Sequence, residues 1–260
     1  MRLATWNVNS IRARVDRVAA CLQRSDIDVL AVQETKSRDE QFPYDTFKQA
    51  GYEVAHLGTS QWNGVAIASR VGITDVEQGF RGMPAWGEPP LEETRALGAT
   101  CGGVRVWSLY VPNGRSLADP HLQYKLQWLD ALRIAGAGWL AADPDAQVAL
   151  CGDWNIAPRD EDVWDMRVFA TSTHVSPPER AAFRAVVDAG FADVVRPYTP
   201  GEFTYWDYTQ LRFPRREGMR IDFVLASPAL AARVSGALID RQERKGKGAS
   251  DHAPVVVDLA

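Results

Sequence analysis

Residues 147–158, QVALCGDWNIAP, constrain the fold of this chain more than any other stretch. Val148, Ala149, Leu150 and Cys151 form a short apolar run, which reads as a buried strand, and Gly152 lets the chain bend where that strand ends. Asp153 and Asn155 follow at the strand's mouth, two residues apart and expected to point the same way, while Pro158 prevents the strand from continuing. A carboxylate and a carboxamide presented together can orient a water, hold a hard cation or hydrogen-bond an anionic transition state. Asp and Asn are also ordinary turn residues, so the stretch gains weight only because the arrangement recurs.

It recurs several times. Leu3–Val8 reads as a strand ending in Trp6-Asn7-Val8-Asn9, after which Ser10 has the chemistry of a helix N-cap. Ile11, Val15, Val18, Ala19 and Leu22 then repeat at helical spacing. Asp28–Gln33 is almost continuously apolar and delivers Glu34. Tyr52–Leu57 and Gly64–Ser69 read as strands around the turn Gln61-Trp62-Asn63-Gly64. Residues 71–93 carry no regular pattern. Arg95–Thr100 and Gly103–Val111 follow as strands, the second ending in Tyr110-Val111-Pro112-Asn113-Gly114-Arg115. Leu122, Leu126, Leu129 and Leu132 form the stripe of a long helix leading to Gln147. Ser176-Pro177-Pro178-Glu179 matches a capping box, and Gly190 ends that helix. Phe203–Tyr208 is an alternating aromatic stretch, Arg220–Ala226 carries Asp222 near its start, and Ser250-Asp251-His252-Ala253-Pro254 runs into a last apolar strand.

Strands and helices are mixed without regular βαβ alternation, so the expected class is α+β, with two mixed sheets packed face to face and helices outside. No linker or low-complexity tract divides the 260 residues, and one domain spanning 1–260 is expected. An apolar content of 46% is enough for a large core, yet no apolar run reaches the roughly 18 residues that would span a bilayer. The N-terminus lacks the pattern of a signal peptide, and three scattered cysteines suit a reduced, cytoplasmic protein. The net charge of −4 is unusual for a nucleic-acid binder. Two basic clusters, Arg212/Arg215/Arg216/Arg220 and Arg241/Arg244/Lys245/Lys247, are the candidate exceptions.

Asn7, Glu34, Tyr110, Asn113, Asp153, Asn155, Asp222, Asp251 and His252 all fall at strand ends. If those ends converge, the result is an oxygen-rich pocket with one imidazole, which suits magnesium or manganese and disfavours zinc. His56, His121 and His174 lie outside these motifs.

Seven short motifs in order carry a resemblance: Trp6-Asn7-Val8-Asn9-Ser10-Ile11-Arg12, Gln33-Glu34-Thr35-Lys36, Trp62-Asn63-Gly64-Val65-Ala66, Tyr110-Val111-Pro112-Asn113-Gly114, Gly152–Pro158, Arg220-Ile221-Asp222 and Ser250–Pro254. Over nearly its whole length the chain resembles the exonuclease III family of apurinic/apyrimidinic (AP) endonucleases, bacterial exodeoxyribonuclease III-like, in the endonuclease/exonuclease/phosphatase superfamily. The resemblance implies a four-layer α-β-β-α sandwich and a magnesium-dependent DNA-repair phosphodiesterase, a monomer on duplex DNA with AP sites or 3′ ends. Such an enzyme incises 5′ to AP sites, acts as a 3′–5′ exonuclease, or trims 3′ ends.

It also implies roles. Glu34 becomes the main metal ligand, with Asn7 and Asp251 close to the ion and Asp153 and Asn155 preparing the water. His252, held by Asp222, faces the scissile phosphate, and Tyr110 and Asn113 bind its oxygens. Tyr205 and Trp206 fall where the family has an apolar wall for an extruded sugar. Trp62, Arg95 and Arg115 are expected duplex contacts. Met219 stands where many relatives have tryptophan, which leaves the balance of AP-site and 3′-end action open. The competing readings are a phosphomonoesterase, an RNA-directed superfamily member and a catalytically silent DNA-binding protein.

Overall fold

The structure is a computed structural model that describes residues 1–260. Twelve strands form two six-stranded sheets: β1 (Arg2–Asn7), β2 (Val29–Gln33), β3 (Glu53–Leu57), β4 (Val65–Ser69), β5 (Thr74–Gln78), β6 (Ala96–Cys101), β7 (Val104–Tyr110), β8 (Val148–Asp153), β9 (Ala192–Asp193), β10 (Asp222–Ala226), β11 (Val234–Ile239) and β12 (Val255–Leu259). The helices are α1 (Ile11–Arg24), α2 (Tyr44–Gln49), α3 (Pro120–Ala142), α4 (Met166–Phe169), α5 (Pro177–Asp188), α6 (Arg212–Arg215) and α7 (Pro228–Ala231). The sheet orders are β11-β12-β1-β2-β4-β3 and β5-β6-β7-β8-β10-β9. Each is mixed, since β1–β2 and β7–β8 are parallel and their other neighbours antiparallel.

The layers follow from which side of each strand is apolar. Leu3, Val29, Ala31, Val65 and Ile67 of the first sheet pack against Leu97, Ala99, Val106, Ala149, Cys151 and Val224 of the second. The opposite face of the first sheet, with Ala4, Trp6, Leu30 and Val32, is covered by Val18, Cys21 and Leu22 of α1 and Phe47 of α2. The outer face of the second sheet, with Trp107, Leu109, Leu150 and Phe223, is covered by Tyr124, Trp128, Leu129 and Leu132 of α3 and Phe183 and Val186 of α5. The four-layer α-β-β-α sandwich expected from the sequence is present. Its seam also holds a buried polar chain, in which Thr5 Oγ1 donates to Gln33 Oε1 (3.1 Å) and Gln33 Nε2 to Ser108 Oγ (3.0 Å).

The strand register also aligns the motifs. β2 is parallel to β1 and β8 to β7, so Asn7, Gln33-Glu34, Tyr110 and Asp153 end at one rim. β4, β6, β10 and β12 are antiparallel to these neighbours and begin at the same rim, which brings in Asn63-Gly64, Arg95, Asp222 and Asp251-His252.

Several local expectations need correction. Residues 71–93 contain the edge strand β5, whose five residues are all exposed, so TDVEQ carries no apolar signal to read. Gly152 lies inside β8, not at a bend. A Cβ there would stand 1.9 Å from the Leu109 carbonyl oxygen, so the close approach of β7 requires glycine. Ser10 has φ 93 and its side chain caps nothing; its N–H instead donates to the Glu34 carbonyl (2.7 Å). The buried stripe of α3 includes Tyr124, Lys125 and Trp128, while Leu122 and Leu126 are only partly buried. Phe203–Tyr208 forms isolated bridges from Tyr205 to Met219 and His252 in place of a strand. The capping box of α5 is present as expected.

Candidate active site

Asn7 joins the two sheets at the rim. Its Nδ2 donates to Glu34 Oε1 (2.8 Å) from the same sheet and to Asp153 Oδ2 (3.0 Å) from the other. His252 crosses the seam in the opposite sense. Its Nδ1 lies 2.9 Å from Asp222 Oδ2, and its Nε2 is 3.8 Å from Asp153 Oδ2. Ligand atoms of Glu34, Asp153 and His252 all lie within 4.8 Å of one another. Trp6 Nε1 donates to the His252 backbone carbonyl (3.1 Å) and anchors the main chain there, while the Tyr205 ring lies 4.9 Å from the imidazole.

The electrostatics follow from burying several charges together. Burial and the carboxylates of Asp222 and Glu34 raise the Asp153 carboxyl well above its ordinary range, against the pull of His252. Burial works against the His252 cation, but Asp222, Asp153 and Asp251 outweigh it and hold the imidazole protonated above its ordinary range. Burial likewise opposes ionisation of Glu34, yet Lys36 (2.7 Å) and the Asn7 amide keep its carboxyl below the usual value. Burial and the neighbouring Glu34 hold the Tyr110 hydroxyl protonated far above its ordinary range.

Asp153 and Asn155 do not point the same way. Asn155 has φ 50 and its N–H closes a turn on Asp153 Oδ1 (2.9 Å). Its side chain faces away, donating to the Val111 carbonyl (3.0 Å) and accepting from Asn113 Nδ2 (3.2 Å). Asn155 thus stands with Asn113, apart from the Glu34–Asp153 pair. Asp251 is at the margin, bonded by Asn9 Nδ2 (3.1 Å), and Asn9 Oδ1 accepts from Lys36.

Among the expected substrate contacts, Trp62 is 67% exposed beside Arg12, Lys36, Arg38 and Gln41 in a cleft of about 420 Å³, and Arg115 is also exposed. Arg95 and Trp206 are corrections. Arg95 is buried, paired with Glu93 (2.7 Å) and stacked over the Tyr110 ring at 4.9 Å, so it supports Tyr110 from behind. Trp206 is 1% exposed in the inter-sheet core, which leaves Tyr205 as the aromatic group near His252. Met219 is buried with Ala157, Val163, Val175 and Ile221, and Tyr205 packs against that cluster. Arg220 leaves the basic cluster as well, since it is buried in a two-pronged pair with Asp193 (2.8 Å to each oxygen).

Sequence reasoning missed Lys36, Asn9, Lys125 and His174. His174 Nε2 lies 3.4 Å from Asn113 Nδ2, and burial first, then Lys125, pushes its imidazole down to about 3. Asn9 and Lys36 lie inside the motifs that carry the resemblance, and Lys125 falls at single-turn spacing within the buried helix stripe; His174 had no cue. A concavity of about 600 Å³ around Arg180, Phe183 and Arg184 contains none of the groups at the rim.

The profile of the endonuclease/exonuclease/phosphatase family matches residues 4–252. The chain belongs to that family. It is 30% identical to an exodeoxyribonuclease of Bacillus subtilis (strain 168), over 98% of each chain. Among solved structures it is similar to an AP endonuclease from Archaeoglobus fulgidus (35% identity, TM-score 0.92) and to a 3′-5′ exonuclease, NExo, from Neisseria meningitidis (35%, TM-score 0.92). In both comparisons 100% of this chain and 99% of the other are covered.

Members of the endonuclease/exonuclease/phosphatase family of this nuclease type depend on a divalent metal, and the donor set here fits one. Glu34 and Asp153 bring two carboxylates close together, with the Lys36 ammonium and the Asn7 amide compensating them. A protonated His252 has no lone pair to offer, so the oxygens are the donors, as a hard cation prefers. No helix is long and apolar enough to cross a membrane.

His121 gives a pH test of the Asn113 turn. Its Nδ1 accepts the Gly114 N–H (3.1 Å), which a protonated Nδ1 cannot do, and burial, then Arg95 and Arg115, lowers its imidazole to about 4. The unfolded chain takes up this proton near pH 6.5, whereas the folded chain refuses it until about 4. Stability is therefore lost as pH falls below about 6.5, by about 2 kcal/mol at pH 5. Urea midpoints at pH 7 and pH 5 are expected to diverge less in His121→Asn than in the parent. An equal divergence would remove His121 as the source.

Proposed function

We propose that this chain is a magnesium-dependent DNA phosphodiesterase, one catalytic domain over residues 1–260, that cleaves 5′ to AP sites and removes nucleotides or blocking groups from 3′ ends of duplex DNA. The observation that carries this reading is the cross-sheet cluster of Asn7, Glu34, Asp153, His252 and Asp222. A protein that only bound DNA would gain nothing from burying such mutually repelling carboxylates at a phosphate site. Two similar structures support both substrates: one is an AP endonuclease from Archaeoglobus fulgidus, the other a Neisseria 3′ phosphatase bound to product DNA hairpin.

Glu34 and Asp153, with Asn7 between them and Asp251 at the margin, would hold magnesium, or manganese in its place. The ion would offset negative charge developing on the phosphate oxygens. Asp153, with its raised carboxyl, accepts a proton from the attacking water near neutral pH. Asp222 fixes His252, whose imidazolium faces the phosphate and stabilises its added charge. Asn113 and Asn155 supply neutral donors, and Tyr110 a phenolic proton. Water is the nucleophile: as its oxygen bonds phosphorus the P–O3′ bond breaks and the leaving 3′ oxygen takes a proton from solvent, so no covalent enzyme intermediate forms.

Tyr205 with Met219 offers an apolar edge to a baseless sugar, and Trp62 and Arg115 meet the flanking duplex. The reading is of a monomer acting in the cytoplasm, which three free buried cysteines suit.

The test is a 5′-labelled duplex carrying one tetrahydrofuran residue, incubated with magnesium or with chelator. A single product ending 5′ to the lesion and shortening from 3′ termini are expected with magnesium alone. An intact duplex under both conditions would overturn the proposal, as would equal cleavage in chelator.

A further inference from the structure

Lys125 and Glu179 form an ion pair (2.6 Å) in which both side chains are 0% exposed. The ammonium has three protons, and each has a partner: Glu179 Oε1 (2.6 Å), the Asn155 carbonyl (2.6 Å) and the Asn113 carbonyl (3.2 Å). Glu179 Oε1 also accepts the His174 N–H (2.9 Å). One buried pair therefore joins α3, α5 and three loops, those bearing Asn113, Asn155 and His174.

These loops hold unusual backbone conformations. Asn155 has φ 50, Arg115 φ 59 and His174 φ 79. Such conformations cost free energy in non-glycine residues and persist only when surrounding structure fixes them. Stability alone is a weak reason for the pair, because an apolar pair of similar volume usually serves a core as well or better. An apolar pair could not, however, donate to two loop carbonyls at once. We propose that Lys125 is a positioning residue for the hydrolysis: by holding the Asn113 and Asn155 carbonyls from beneath, it keeps Asn155 Oδ1 against Asn113 Nδ2 and so fixes the paired carboxamides as phosphate donors. The proposal rests on the reading of Asn113 and Asn155 as phosphate donors.

The test compares Lys125→Met, the neutralised pair Lys125→Met/Glu179→Gln, Asn155→Ala and Lys125→Met/Asn155→Ala. Single-turnover cleavage of the tetrahydrofuran duplex is measured at saturating magnesium, with duplex affinity in chelator and thermal melting alongside. The neutralised pair is expected to melt cooperatively and to bind duplex within about threefold of the parent, yet to cleave roughly 100-fold more slowly, the scale set by misplacing a group by about an ångström. Lys125→Met should add less than about threefold to the loss caused by Asn155→Ala, because both act through the linked Asn113–Asn155 pair.

Three results would overturn the proposal: cleavage by the neutralised pair at the parent's rate, equal losses from Lys125→Met in both backgrounds, or failure of Lys125→Met and the neutralised pair alike to fold, which would assign the pair to stability. Asn155→Ala cleaving at the parent's rate would instead refute the phosphate-donor reading, and the positioning role would fall with it.

Discussion

Asp153→Asn is expected to slow cleavage by roughly 10³-fold, the middle of the range for losing a general base, while duplex affinity stays level or rises. The substitution keeps the volume and removes the charge. It also breaks the donor pattern, because Oδ1 accepts from the Asn155 N–H and Oδ2 from Asn7 Nδ2 while facing His252 Nε2. An asparagine has only one acceptor oxygen to meet those demands. Binding should not suffer, because a phosphate approaching the rim no longer meets this carboxylate. Single-turnover rates beside anisotropy titrations separate the two effects. A parallel fall in affinity and rate would make Asp153 a binding group and end its assignment as base.

Glu34→Gln should raise the magnesium concentration for half-maximal rate by at least about tenfold, the scale on which metal sites respond to loss of a supporting group. Chelation of the parent should abolish turnover. Glutamine preserves the length of the side chain and can still face Asn7, but it gives up the charge that now draws the Lys36 ammonium to 2.7 Å. The prediction is specific to the cation, so saturating magnesium should recover much of the rate in Glu34→Gln and none in Asp153→Asn. A magnesium titration that matches the parent's would remove Glu34 from the metal site.

The fold was largely legible because its strands are short apolar runs with polar punctuation, and parallel or antiparallel pairing then sends every punctuated end to one rim. Asn7, Glu34, Asp153, Asp222 and His252 could all be found this way, since each directly follows, ends or precedes such a run. Side-chain direction was less legible. Asp153 and Asn155 are two residues apart, which in a strand means one face, but the positive φ of Asn155 turns its carboxamide toward Asn113. Arg95 was expected as a duplex contact and Trp206 as part of the apolar wall for an extruded sugar, both from the resemblance. Glu93 and Tyr110 claim the first and the inter-sheet core the second. Lys125 was hidden for a different reason: a lysine in a helix stripe reads as a solvated position until Glu179, 54 residues later, is seen to meet it. Edge strand β5 was invisible because nothing covers it.

The seam between the sheets gives turnover an unusual diagnostic value. Asn7–Asp153 and His252–Asp222 each have one partner on either side of it. Sliding one sheet past the other by a single residue, about 3.3 Å, would part both pairs while leaving each sheet's own ladder intact. Circular dichroism would scarcely register that slip, whereas catalysis would stop. Loss of activity under mild denaturant should therefore precede loss of secondary structure, making the enzyme its own gauge of sheet alignment.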